Sequence, residues 1–131
     1  MAVIGTRGRH VIAEYWGCSP EVLGNIDIIR DNMLEATRAA QATAVANLFH
    51  QFTPTGVSGV VIIEESHLSI HTWPEEGYAA CDFYTCGNCI PEQAFDSLKQ
   101  SLGAGRAIYL KIDRGMEIAP HMSIVKLPDA V

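Results

Sequence analysis

Apolar and polar residues alternate from His10 to Trp16 (HVIAEYW), a short run rich in β-formers that predicts a first strand. At Ser19-Pro20 the period becomes helical. Ser is a good N-cap and Pro is tolerated at the first helical position, after which Val22, Leu23, Ile26, Ile29, Met33 and Leu34 recur near helical spacing. The pattern predicts a helix to about Ala42 with an irregularity near Gly24. Three strand-like pieces follow, Thr43 to Phe52, Val57 to Ile63 and Leu68 to Trp73, with Pro54 and Gly56 at the first junction and Glu64 to His67 at the second. After a Pro-Glu-Glu-Gly turn, Tyr78 to Thr85 forms a further strand. Pro91 opens a second helix with Ala94, Phe95, Leu98 and Leu102 on one face, ended by Gly103 and Gly105, and Arg106 to Ile112 is the last strand. Runs of strands with two helices, rather than strict alternation, predict an α+β two-layer sandwich: a mostly antiparallel sheet with two helices packed on one face.

The chain has 131 residues, 48% of them hydrophobic, which is material for one core; residues 1–131 are read as a single domain. A formal charge of −6 argues against a nucleic-acid partner and favours a cationic small molecule. No apolar run approaches the ~20 residues of a membrane helix, and the start MAVIGTRGRH lacks the apolar stretch of a secretion signal. No membrane association and a soluble, cytoplasmic setting are expected. Cys18, Cys81, Cys86 and Cys89 are too few and too clustered for a disulfide framework and are read as free thiols.

Chemistry-bearing residues concentrate in Val57 to Pro74 (VSGVVIIEESHLSIHTWP), a strand–turn–strand unit. For Ser69 and Thr72 the plain reading is cross-strand hydrogen bonding. His67 and His71 share a strand face, but a metal would want a third ligand such as His50 or a carboxylate, and the zincin pattern is missing; no metal is expected. Cys81-x4-Cys86-x2-Cys89 begins like a plant-type iron–sulfur pattern but has no cysteine downstream to complete it. Cys86-Gly-Asn-Cys89 has the redox C-x-x-C form without a thioredoxin-like setting. Cys86, at a strand end beside Gly87, is the thiol expected to be reachable, and a reachable thiol can act as an acid.

The block Glu64-Glu65-Ser66-His67-Leu68-Ser69-Ile70-His71-Thr72-Trp73-Pro74-Glu75 resembles the processing-site signature of the pyruvoyl-dependent S-adenosylmethionine decarboxylase family of bacteria and archaea. Its neighbours stand in family order: Gly8-Arg9-His10, Phe49-His50 with Phe52, Gly56-Val57-Ser58-Gly59-Val60-Val61, Gly77-Tyr78-Ala79-Ala80 and Thr85-Cys86-Gly87. Asn88 to Ile90, Cys89 included, and the tail from Met116 to Val131 lie outside the resemblance and are read as variable surface.

The resemblance implies a proenzyme that cuts itself between Glu65 and Ser66 into a β chain, residues 1–65, and an α chain, residues 66–131, and converts Ser66 into a covalent pyruvoyl cofactor. Ser66 Oγ would attack the Glu65 carbonyl, a shift that is uphill without a strained turn and donors for the oxyanion. His71 would take the Ser66 α-proton so that the ester eliminates, with Ser58 assisting by hydrogen bonding. In turnover the ketone forms a Schiff base with the substrate and Cys86 donates the proton that replaces carbon dioxide. Phe52 matches the position that stacks on adenine, and Glu75 the one that holds the ribose. The implied product is decarboxylated S-adenosylmethionine, the aminopropyl donor for spermidine biosynthesis, made by a homodimer of processed protomers with active sites at or near the interface. Other readings stay open: a pyruvoyl-dependent decarboxylase of arginine or another basic amino acid, an unprocessed non-catalytic partner subunit, or a thiol or metal module built on Cys81, Cys86 and Cys89.

Overall fold

The structure is a computed structural model that describes residues 5–126. In chain order its elements are β1 (Gly8–Trp16), α1 (Pro20–Leu23), α2 (Ile26–Ala39), β2 (Ala44–Gln51), β3 (Val57–Ile63), β4 (Ser66–Trp73), β5 (Tyr78–Thr85), α3 (Pro91–Ser101), β6 (Arg106–Gly115) and β7 (Ile118–Lys126), with a 3-10 turn at Pro74–Glu76. The seven strands form one sheet in the order β2-β3-β4-β5-β1-β6-β7, and every neighbouring pair is antiparallel. The expected α+β sandwich is what forms.

Alternation decides which face is covered. Val11, Ala13 and Tyr15 of β1, Leu68 and Ile70 of β4, and Cys81 and Phe83 of β5 lie in one buried cluster with Ile29 and Met33 of α2 and Ala94, Phe95 and Leu98 of α3. Each fully buried large side chain contributes about 1.5–3 kcal/mol through burial, so this layer dominates the fold's stability. Tyr15 can be buried because its hydroxyl donates to the Phe95 carbonyl at 2.6 Å. Residues of opposite parity, among them His10, Ser58, His67, Ser69, His71 and Asp82, leave the sheet on its open, helix-free face.

Local signals explain most boundaries. Ser19 caps α1 by accepting the Val22 N–H, with Pro20 at the first helical position. The single helix expected to Ala42 is two, because the turn at Gly24 lets Asn25 cap α2 afresh by accepting from Asp27 and Ile28. The Pro-Glu-Glu-Gly turn forms, ending on Gly77 at φ +62°, a conformation that suits glycine. β4 begins at Ser66 rather than Leu68, which places Ser66 inside the ladder, paired with Ile63 and Thr85.

Two expectations are corrected. The tail from Met116 is not merely variable surface: β7 pairs with β6 along the sheet edge, and β6 runs on to Gly115 to receive it. Pro120 interrupts the run, and the alternation of Met122 and Ile124 with His121 and Ser123 is too short to mark a strand; an edge position tolerates the proline and both exposed apolar side chains. Cys89 is not at the surface either, being buried at 8% exposure.

Candidate active site

The β3–β4 connection is a two-residue turn at Glu64 and Glu65, and Glu65 sits at φ +60°, a left-handed conformation uncommon for a residue with a side chain. Backbone strain is thus present at the residue before Ser66. The Glu65 carbonyl oxygen accepts two hydrogen bonds from one residue, the Cys86 backbone N–H at 3.2 Å and the Cys86 thiol at 3.5 Å. Ser66 Oγ lies 2.6 Å from Thr85 Oγ1 and 3.8 Å from Cys89 Sγ. Arg9 fastens the loop that carries the thiols, donating to the carbonyls of Cys89 at 2.7 Å and Gly87 at 3.3 Å. A cavity of about 350 Å³ opens beside this group, lined by Ile63, Glu64, Glu65, Ser66, Asn88 and Cys89 among others.

Ser58 and His71 form a second group. They are cross-strand partners on the open face, with Ser58 Oγ 2.7 Å from His71 Nδ1. Phe52, Thr55, Ser58, His71, Trp73 and Glu75 line a concavity of about 390 Å³, so the two residues matched to substrate binding stand beside the two matched to processing. Phe52 is 47% exposed, and its ring makes a T-shaped contact with His50 at 4.6 Å between centroids.

The two groups do not meet within one chain. Ser66 and His71 are five positions apart on β4, about 16 Å along a strand, and an odd separation sends their side chains to opposite faces. Ser66 turns to the helix side with Thr85 and Cys89, whereas His71 turns to the open side.

His67 and His71 share a face, as their spacing requires, but have different partners. His67 Nε2 lies 3.2 Å from Asp82 Oδ2, and His10 Nε2 reaches the same oxygen at 2.5 Å. Among the described residues His10, His67 and Asp82 have the spacing of metal ligands, and no cysteine belongs to such a group. Arg114 Nη1 lies 3.2 Å from His10 Nδ1. A guanidinium only donates, so Nδ1 accepts and the neutral His10 carries its proton on Nε2, aimed at Asp82 rather than free for a metal. Burial alone would raise the Asp82 pKa, but hydrogen bonds from Ser69, His10 and His67, with the charge of His67, outweigh it and hold the carboxyl below its ordinary value. Ser69 therefore serves Asp82, and Thr72 Oγ1 accepts from Val57 N–H at 2.9 Å and donates to Leu23 O at 2.8 Å, the structural bonding expected of both.

The four thiols are free, and Cys86 is the one left partly accessible. Burial pushes Cys18 up to about 11 and Cys81 well above its usual range, so both are inert core residues. The sequence assigns no role to Thr85 or Arg9, and weighs Cys89 only as part of a thiol or metal module. Their closeness to Ser66 arises from strand pairing and loop packing, and only the Ser66–Thr85 register carries a trace of it.

Among the described residues no helix is long and apolar enough to cross a membrane. Residues 9–115 match the sequence model of the family described as S-adenosylmethionine decarboxylase. The S-adenosylmethionine decarboxylase proenzyme of Thermotoga maritima is 47% identical over 126 residues, covering 90% of this chain and 97% of that protein. The proenzyme of Thermococcus kodakarensis is 51% identical over 118 residues, 89% of this chain and 82% of its own length. The crystal structure of the adenosylmethionine decarboxylase from Aquifex aeolicus superimposes with a TM-score of 0.77 at 34% identity, covering 86% of this chain and 93% of that one. Extended similarity in sequence and in three dimensions shows that this chain belongs to the S-adenosylmethionine decarboxylase family.

Proposed function

We propose that this protein is a self-processing, pyruvoyl-dependent decarboxylase of S-adenosylmethionine that releases carbon dioxide and S-adenosylmethioninamine, the aminopropyl donor for spermidine. The observation that carries this reading is the Glu65–Ser66 junction: a carbonyl at a positive-φ residue, held by the N–H and thiol of Cys86, one residue before a half-buried serine hydroxyl. Such donors stabilise an oxyanion on Glu65 as Ser66 Oγ attacks it, and the turn's strain lowers the cost of exchanging an amide for an ester. The residues present therefore fit a serine-derived pyruvoyl group.

His71, oriented by Ser58, is the base for the Ser66 α-proton. Because it stands on the opposite face from Ser66, a second copy of the chain supplies it. The open face is suited to such pairing, since it exposes Leu48, Ile62 and Trp73 around the polar residues. At residue 66 a pyruvoyl group would supply a conjugated ketone, an electron sink for decarboxylation of the substrate's α-amino acid. Cys86, partly accessible and beside residue 66, gives the proton to the former α-carbon. Phe52 offers a face to the adenine and the sulfonium, and Glu75 accepts from the ribose hydroxyls. The aromatic face and the carboxylate together fit the adenine and ribose of S-adenosylmethionine. Free thiols suit a cytoplasmic setting.

The test is an intact-mass measurement paired with carbon dioxide release. Purified wild-type protein should show fragments 1–65 and 66–131, the second without an N-terminal amine, and release carbon dioxide from S-adenosylmethionine but not from arginine. Ser66→Ala should stay one chain. Wild-type protein that remains intact would refute the reading, and release from arginine alone would transfer the activity to a basic amino acid.

A further inference from the structure

Thr85 Oγ1 is the meeting point of three contacts: the Gly87 N–H at 2.9 Å, the Ser66 hydroxyl at 2.6 Å and the Cys89 thiol at 3.2 Å. Thr85 is fully buried and Cys89 nearly so. A hydroxyl accepts two hydrogen bonds and donates one. The Gly87 N–H can only donate and fills one acceptor position. Of the remaining two partners, one gives its proton to Thr85 and the other receives the Thr85 proton. Oxygen is the stronger donor and makes the shorter contact, so Ser66 donates and the Cys89 sulfur receives.

This arrangement matters for the serine. With its O–H directed at Thr85, Ser66 Oγ takes no proton from Thr85, and its lone pairs must reach the Glu65 carbonyl carbon for the chain to break. Were the Thr85 proton turned to Ser66 instead, it would occupy a lone pair needed for attack. Cys89 prevents that by giving the Thr85 proton another acceptor. We propose that Thr85 and Cys89 are positioning residues for self-cleavage, a hydroxyl–thiol pair that fixes the direction of the Ser66 hydroxyl; this rests on the assignment of Ser66 as the cleavage nucleophile. Neither residue is required to hold the proton, which passes to the departing Ser66 nitrogen as the Glu65 C–N bond breaks.

The experiment follows intact precursor from cell-free synthesis and measures its first-order cleavage rate, with and without hydroxylamine, for wild type, Thr85→Val, Thr85→Ser, Cys89→Ala and Cys89→Ser. Thr85→Val, nearly isosteric but without the hydroxyl, should cleave about 10²-fold more slowly, the scale of loss from a misplaced reacting atom. Thr85→Ser should recover most of the rate. Cys89→Ala should be slowed to a lesser degree and Cys89→Ser, which retains an acceptor, should approach wild type. Hydroxylamine should leave Thr85→Val slow, because it traps an ester and the defect lies before the ester forms; a faster Thr85→Ser, which keeps the hydroxyl and loses the methyl, is the readout a packing role would not give. Wild-type cleavage rates in Thr85→Val, hydroxylamine rescue of that variant, or a Thr85→Ser as slow as Thr85→Val would overturn the proposal while leaving the cleavage reading intact. Should Thr85→Val fail to melt as a folded protein, Cys89→Ala decides, and wild-type cleavage there sinks the pair. A wild-type precursor that never cleaves removes the cleavage reading and this inference together.

Discussion

Ser66 and His71 belong to the same strand, β4, but their side chains leave it on opposite faces. A histidine so placed cannot reach the α-proton of its own chain's residue 66 without dismantling the sheet. Mixed dimers of Ser66→Ala and His71→Ala copies should therefore mature the Ser66 of the His71→Ala chain, using the histidine of the other copy. His71→Ala alone should accumulate ester that hydroxylamine cuts. Mass spectrometry of co-expressed, tagged chains reads both, and mixed dimers that remain unprocessed would return the base to the same chain.

Cys86 makes two different contacts with Glu65 O, and substitution separates them. Cys86→Ala retains the backbone N–H, so cleavage should slow but proceed. Turnover of the cleaved protein should fall by ~10²–10⁴, the usual loss of a positioned acid. Normalising carbon dioxide release to the cleaved fraction measures this, with Cys89→Ala as the comparison. A fully active processed Cys86→Ala would move the proton donor elsewhere.

Glu75 lines the concavity with Phe52, Ser58 and His71. Glu75→Gln removes a charge-assisted acceptor, worth about 1.5–3 kcal/mol, and should raise KM for S-adenosylmethionine roughly 10- to 100-fold. Cleavage should be unaffected, since Glu75 touches neither residue of the scissile bond. An unchanged KM would remove Glu75 from the ribose position.

Asp82 ties β5 to His67 and Ser69 of β4 and to His10 of β1. Its pKa is lowered on folding, so it contributes stability that is fully present above the unfolded carboxyl value, about 3.9, and is lost as pH falls through the lower folded value. Asp82→Asn should be less stable than wild type at neutral pH, with the gap narrowing below about pH 4. Denaturant melts across this range test the sign; a gap that widens on acidification contradicts it.

How much of this was legible in the chain follows from the range of each interaction. The β1 alternation, the Ser19-Pro20 cap and the Pro-Glu-Glu-Gly turn are written within a few residues, and the structure reproduces them. The break at Gly24 and Asn25 was half visible: the glycine marked an irregularity, but a second cap was needed to turn it into two helices. β7 was invisible because Pro120 interrupts it and only His121 to Ile124 alternate, too short a run to mark a strand; it exists by pairing with β6 at the sheet edge.

The sequence by itself determined the sandwich, the single core and the residue types around the Glu65–Ser66 junction, because periodicity, capping and a linear signature are local properties of a chain. Only the tertiary structure decided which of those residues meet. Cross-strand register brought Thr85 to Ser66 and Ser58 to His71, and the loop held by Arg9 carried Cys86 to the Glu65 carbonyl and Cys89 beneath Thr85. Strand parity kept Ser66 and His71 apart. Their five-residue separation was always legible, but its meaning depended on which face the helices cover, a choice made by burying the apolar sides of all the strands together.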